Sequence, residues 1–445
     1  MTEAFSVWCE RQYRHAAAAM LRSVSPVALC KVRPGFGQSV TPKRGAVIAS
    51  PVLGSYDPDP DYFFHWYRDS AIIVEALRVL FEDDAAHAAL ARDTALGHFA
   101  DFVQFSLALR ELDGRRLAAA AEWRTRIKPD FLRFVRSDQE LSGIHGARVA
   151  GETRVNPDGS LDISSWPRPQ NDGPALRALT VLRWSRAARL AGETAAAAEA
   201  LLRADLTYTQ QHWRDPSFDI WEEEQGSHYY TVSVCRAALE EGAAWLAAAG
   251  DRAQEQRCRA EAHAARAVLD GFWLAEAGFY RSRALQSAVR STKELDIAVI
   301  MAAVHGSSST EEHSVRDARM HATLACLEQL FDSAYEINRQ RPAQRGTAMG
   351  RYAGDVYYSG GAYYFSTLAA AEFCYRAAAG AADARAWIER GDAFVATVRA
   401  FTPADGDLAE QFDQHTGAQT SAKQLAWSYA AFITSVAARR AVARV

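Results

Sequence analysis

Six helical hairpins closed into a ring, an all-α (α/α)6 barrel, is the fold the sequence predicts. Three observations predict it. Ala-, Leu- and Arg-containing stretches dominate the 445 residues while Val/Ile/Thr alternation is scarce, which favours helix throughout. About twelve helical patterns follow one another with no strand–helix alternation between them. Two of these patterns, YYFSTLAAAEF at 363–373 and LAWSYAAFITSVAA at 425–438, are apolar on nearly all sides, as the inner wall of a double ring requires.

Taken in order, the first helix spans 5–24, with Phe5, Trp8, Tyr13 and Ala17 as its apolar positions. Residues 25–68 hold Pro26, Pro34, Gly35, Gly37, Pro42, Pro51, Gly54, Pro58 and Pro60, which break regular structure. Helices then follow at about 69–83, 85–110, 172–190, 194–212, 229–249, 252–272, 294–304, 316–334, 360–379, 383–400 and 421–441. Several connections are long: 25–68, 111–171, 273–293, 335–359 and 401–420. Long loops in a compact fold tend to carry function. With no linker, low-complexity segment or Ser/Thr-rich tail, residues 1–445 read as a single domain.

A net charge of −4 supplies no basic stripe for phosphates, so nucleic acid is not the expected partner. No apolar run of about 18 residues predicts a membrane span. The first residues lack the apolar core of a secretion signal, and the six scattered cysteines read as free, mostly buried thiols in a reducing cytoplasm. Without a CxxC or clustered His, no metal site is expected. Eleven Trp, 16 Tyr and 20 Phe are a large aromatic supply, which serves cores and also makes flat platforms for sugar faces.

The unusual polar–aromatic clusters fall on the interhelical loops. In DPDPDYFFHWYRDS (57–70), Arg68 beside Asp69 offers a forked donor and a carboxylate to one ligand, although Asp69 or Ser70 also suits a helix cap. In WPRPQNDGPALR (166–177), Trp166 gives a flat face and Asp172 precedes a helix with Pro174 in its first turn. In FDIWEEEQGSHYYT (218–231), three adjacent carboxylates repel and Trp221 adds desolvation. Both effects raise a carboxyl pKa, as a general acid needs. GRYAGDVYYSGGAYYF (350–365) puts Arg351 and Asp355 among tyrosines on a Gly-interrupted loop. In DGDLAEQFDQHTGAQTSAKQLAWSYA (405–430), Glu410 precedes a buried-looking helix. Read singly, an acidic run is a solvated face and a loop Glu is exposed. Read together, the clusters gather at one end of a helical ring, which brings Glu222 and Glu410 into one pocket.

Five motifs in order, DPDYFFHWYRDS, RPQNDGPALR, DIWEEEQGS, GRYAGDVYY and LAEQFD followed by LAWSYAA, resemble those of the glucoamylase family of inverting glycoside hydrolases over nearly the whole length. The resemblance implies an exo-acting inverting α-glucosidase, needing no cofactor, that releases β-glucose from non-reducing ends of short α-glucooligosaccharides. It implies Glu222 as general acid and Glu410 as general base, with carboxyls roughly 6.5–9.5 Å apart to admit a water. It implies that Arg68 and Asp69 grip the terminal sugar, that Tyr62 and Trp66 wall it, and that Trp166 stands over the pocket mouth. Arg351 and Glu223 would touch the next sugar, with Asp355 supporting them and Trp427 near the base. Asn171, Glu224 and SGGAYY at 359–364, with Tyr363 standing for a Trp, depart from the family pattern around the second sugar. The departures leave maltose-, isomaltose- and trehalose-type linkages open. A non-catalytic sugar-binding regulator of the same fold is the alternative of another class, and the presence of both glutamates argues against it.

Overall fold

The computed structural model describes residues 3–55, 58–83, 90–285, 291–306 and 311–443. Asp57 of the first motif and the start of the expected 85–110 helix lie outside the described residues. The described residues form fourteen α-helices: α1 (Phe5–Leu21), α2 (Tyr67–Glu82), α3 (Arg92–Leu109), α4 (Gly114–Ala119), α5 (Asp138–Ser142), α6 (Asp172–Ala187), α7 (Gly192–His212), α8 (Tyr229–Ala248), α9 (Arg252–Asp270), α10 (Ala298–His305), α11 (Ala318–Ala334), α12 (Tyr364–Ala378), α13 (Ala384–Ala400) and α14 (Ala426–Val442). All but α4 and α5 correspond to the twelve expected from sequence. The two short extra helices fold inside the 111–171 connection, where the chain builds a small satellite core around Phe36, Trp123, Ile127, Leu141 and Ile163.

The helices form an (α/α)6 barrel. α2 packs on α6, α6 on α8, α8 on α10, α10 on α12, α12 on α14, and α14 returns to α2, which closes the inner ring. The intervening long helices stand outside: α1 against α14, α7 against α3 and α6, α9 against α8, α13 against α12. Burial follows the two rings. In α12 nearly every residue from Tyr364 to Ala378 is buried, whereas outer α9 buries only Glu255, Cys258, Ala262, Ala265 and Leu269 along one face. Small residues let inner helices approach closely. Gly173 in the first turn of α6 is one: a methyl there would stand 2.7 Å from the Tyr67 Cβ at the start of α2.

Among the described residues, twelve short strands decorate the loops: β1 (Lys31–Arg33), β2 (Gln38–Val40), β3 (His65–Trp66), β4 (Arg154–Val155), β5 (Ser217–Phe218), β6 (Gln225–His228), β7 (Trp273–Leu274), β8 (Phe279–Tyr280), β9 (Arg283–Leu285), β10 (Ala362–Tyr363), β11 (Gln411–Phe412) and β12 (Gln419–Thr420). β3, β6 and β10 each run directly into an inner helix and pair antiparallel with loops from elsewhere: β3 with β4, β6 with β5 and β9, β10 with β11, which also pairs with β12. These pairings explain why two expected helices start late. Residues 360–363 and 421–425 are extended or turned because their backbone groups serve this ladder and its neighbouring loop.

All six inner helices point their N-termini at this loop-covered end, so their unpaired N–H groups and positive dipole ends face one region. At the opposite end, arginines satisfy the last carbonyls of α10. Arg183 donates to His305 O at 3.1 Å and Arg376 to Val304 O at 2.9 Å. No helix among the described residues is long and apolar enough to cross a membrane.

Candidate active site

At the N-terminal end of the inner ring lies a cavity of about 270 Å³, below the ~300–1,000 Å³ usual for drug-sized ligands. Tyr62, Trp66, Arg68, Asp69, Trp166, Trp221, Glu222, Glu223, Arg351, Glu410 and Trp427 all line it, together with Tyr357, Tyr363 and Phe365. Of the residues expected from sequence, only Asp355 stands outside the lining. It sits behind Arg351, accepting from Arg351 Nε at 2.7 Å.

Glu222 occupies a tight turn between β5 and β6 with φ of +64°, a left-handed conformation that costs a non-glycine residue energy. Asp219 holds that turn: its Oδ1 accepts from the backbone N–H of Trp221 (3.1 Å) and of Glu223 (2.9 Å). The Glu222 carboxylate then accepts from Trp66 Nε1 at 2.8 Å, from Trp166 Nε1, and from Arg68 at 3.2 Å. Trp166 is therefore a wall bonded to Glu222, with its ring under the Arg154 guanidinium at 3.6 Å.

The three consecutive glutamates diverge, which corrects the expectation of mutual repulsion. Burial disfavours charge on Glu223. Arg351 at 3.0 Å and bonds from Lys293 (2.7 Å) and Tyr352 outweigh that and lower its pKa. For Glu224, burial is likewise overcome by bonds from Arg283 (2.7 Å) and Ser291 (2.9 Å). Arg283, almost fully buried, also pairs with Asp219 at 2.8 Å and with Asp296. Asp296 in turn accepts the Trp221 indole N–H at 2.9 Å.

Glu410 is 8% exposed rather than solvated. It sits immediately before β11, accepts from Ser421 Oγ, and accepts from the Tyr62 hydroxyl at 3.3 Å. Burial pushes its pKa up to about 7 against the opposing effects of Ser421, Arg351 and Tyr62. Ser421, like Glu222, has a left-handed backbone, with φ of +64°. The two lining carboxylates thus each depend on a strained residue. Tyr62 and Trp66, whose rings lie 5.2 Å apart, bond to Glu410 and Glu222 respectively, so the two acids flank one aromatic wall.

On the cavity floor, Arg68 opens the first turn of α2 and reaches Gln170 (3.0 Å) and Asp172 (3.4 Å). Trp66 caps that helix without a side-chain bond, so neither Asp69 nor Ser70 is the cap. Asp69 is buried, and its Oδ2 accepts no hydrogen bond among the described residues. Burial pushes its pKa up to about 6, with Arg68 opposing. The nearest cation to that oxygen is Arg68 Nη2 at 3.5 Å. Trp427, in the first turn of α14, stacks on Phe365 at 4.5 Å and 8° and closes the floor. Among the described residues, no cluster of His, Cys, Asp and Glu fits a metal ion.

The pattern described as "Glycosyl hydrolases family 15" matches residues 27–110, 150–389 and 383–437. The chain belongs to this family. It is 28% identical to a glucoamylase of Neurospora crassa, an alignment that covers 96% of this chain and 69% of that protein. It is 26% identical to a probable glucoamylase of Schizosaccharomyces pombe, covering 98% and 92%. The structure of the family 15 glucoamylase from Hypocrea jecorina superposes with a TM-score of 0.79 at 25% identity, covering 99% of this chain and 73% of that one.

Within this family 15 chain, sequence reasoning passed over Gln170, Arg283, Lys293, Asp296, Tyr357 and Ser421. Ser421 lay within a motif singled out for Glu410, where a hydroxyl just ahead of the final helix was a usable signal. Arg283, Lys293 and Asp296 lie in or just beyond the 273–293 connection, whose length was the only hint.

Proposed function

We propose that this chain cleaves terminal α-glucosidic bonds of short glucooligosaccharides with inversion, using Glu222 as general acid and Glu410 as general base, and that residues 1–445 act as one catalytic domain. The observation that carries the reading is the pair of carboxylates on one aromatic-walled cavity that Arg68 and Asp69 also line. The cavity suits one sugar ring rather than a chain passing through, which is the geometry of exo attack. Glu222 protonates the departing glycosidic oxygen while Glu410 takes a proton from water on the opposite face of the ring, so the released glucose is the β anomer.

Burial favours the protonated form of Glu410. The two acids need only one proton between them. A glycosidic oxygen presented to Glu222 stabilises the proton there, and a water donating to Glu410 stabilises its charge. Sugar binding therefore lowers the Glu410 pKa. The acid limb of kcat, which reports the complex, should lie at lower pH than that of kcat/KM, which reports the free enzyme.

Free thiols at all six cysteines and the absence of any disulfide support a cytoplasmic location. The test of function is a panel of maltose, isomaltose and trehalose with glucose detection, together with Glu222→Gln and Glu410→Gln. Each variant should lose at least 10³-fold in kcat while still binding sugar. Hydrolysis of none of the three by the native chain contradicts the reading. So does near-normal turnover by either variant.

A further inference from the structure

We propose that Lys293 is a specificity-determining residue for the leaving-group sugar, acting by fixing Glu223 at the cavity mouth. The inference rests on the α-glucosidase reading and deepens it. Glu223 lines the cavity beside Glu222, and both of its oxygens are engaged: Oε1 by Arg351 at 3.0 Å, Oε2 by Tyr352 and by Lys293 Nζ at 2.7 Å. Lys293 comes from a different part of the chain than the other two partners. Its Nζ lies 4.7 Å from the centre of the Tyr352 ring, and the side chain is 24% exposed.

The segment is held in place independently of the sugar. Ser282 Oγ donates to the Lys293 carbonyl at 2.9 Å, the Ser282 N–H donates to the Glu294 carbonyl at 2.7 Å, and Ser291 donates to Glu224 at 2.9 Å. Arg283 on the adjoining strand β9 bonds Asp219 and Glu224, on either side of Glu223 in its turn. Lys293 therefore arrives at Glu223 on a rigid support. An ammonium has three donors and Glu223 uses one of them. The remaining two belong to a partly exposed side chain beside the Glu223 carboxylate. Two effects follow. Lys293 holds Glu223 charged and oriented, and it offers a donor to a hydroxylated leaving group. Neither acts on the terminal glucosyl ring, which sits deeper, among Arg68, Asp69 and Trp427.

The test compares leaving groups. Lys293→Met and Lys293→Arg are assayed on the best disaccharide of the panel and on p-nitrophenyl α-glucoside, whose aryl leaving group carries no sugar hydroxyls. Lys293→Met should reduce kcat/KM on the disaccharide by about tenfold, mainly through KM, and alter the aryl glucoside less than about twofold. Lys293→Arg should retain at least about a third of the native disaccharide value. An equal loss on both substrates, or none on the disaccharide, overturns the role of Lys293 while leaving the α-glucosidase reading intact. A native chain that cleaves neither substrate overturns that reading and this inference with it.

Discussion

At the residue scale, the chemistry depends on how a few polar atoms are held. Ser421 bonds Glu410 from a left-handed backbone position, and that bond favours the charged carboxylate against the burial that raises its pKa. The general-base role proposed for Glu410 requires the ionised carboxylate, so activity is lost as pH falls through its pKa. Ser421→Ala removes a stabiliser of the charge, the pKa rises further, and the acid limb of the kcat/KM profile should move to higher pH with little change on the alkaline side. An unmoved limb would separate Ser421 from the ionisation of Glu410. Identities at this scale were well legible from sequence, because Trp, Arg and paired acids concentrated on loops of a helical chain are chemically unusual. Environments were not. The run Glu222-Glu223-Glu224 reads as a patch of repulsion, yet each carboxylate has its own donors, and Arg283, Lys293 and Arg351 come from 59 to 128 residues away. Nothing local announces such pairings.

At the element scale, the site is positioned by the first turns of inner helices, so packing there is felt by the chemistry. Gly173 touches α2 at the residues that lead into Arg68: an added methyl would lie 2.7 Å from Tyr67 Cβ and 3.4 Å from Arg68 N. Overpacking of this kind costs about 1–3 kcal/mol. Gly173→Ala should lower the melting temperature by several degrees and reduce kcat/KM at least about tenfold by displacing Arg68. Gly97→Ala on outer helix α3, where nothing lies within 4 Å, should leave kcat/KM unchanged and hold or raise the melting temperature. Equal behaviour of the two variants would contradict the close-packing account. The twelve long helices were readable because their apolar periods are strong. Their N-termini were less so. The starts of α12 and α14 were expected several residues early because a two-residue strand such as β10 carries no period of its own, and the pairing that fixes it is made with residues about 50 positions away.

At the scale of the whole molecule, the ring gathers six helix N-termini and five distant loops at one end, and the cavity exists only because they meet. That placement was legible once twelve helices were read as six hairpins, since consecutive hairpins must put alternate loops on the same side. The side chains meeting there were not, and Glu410, which in isolation reads as an exposed loop residue, is buried because β11 draws it under Tyr62 and Ser421. In the proposed mechanism a terminal sugar is held between two carboxylates, with room for one water on the face opposite the leaving group. The most direct measurement is proton NMR of the anomeric signals during the first minutes of disaccharide hydrolysis, before mutarotation equalises them. The account predicts that β-glucose appears first and the α anomer grows in later, and initial release of α-glucose would contradict it.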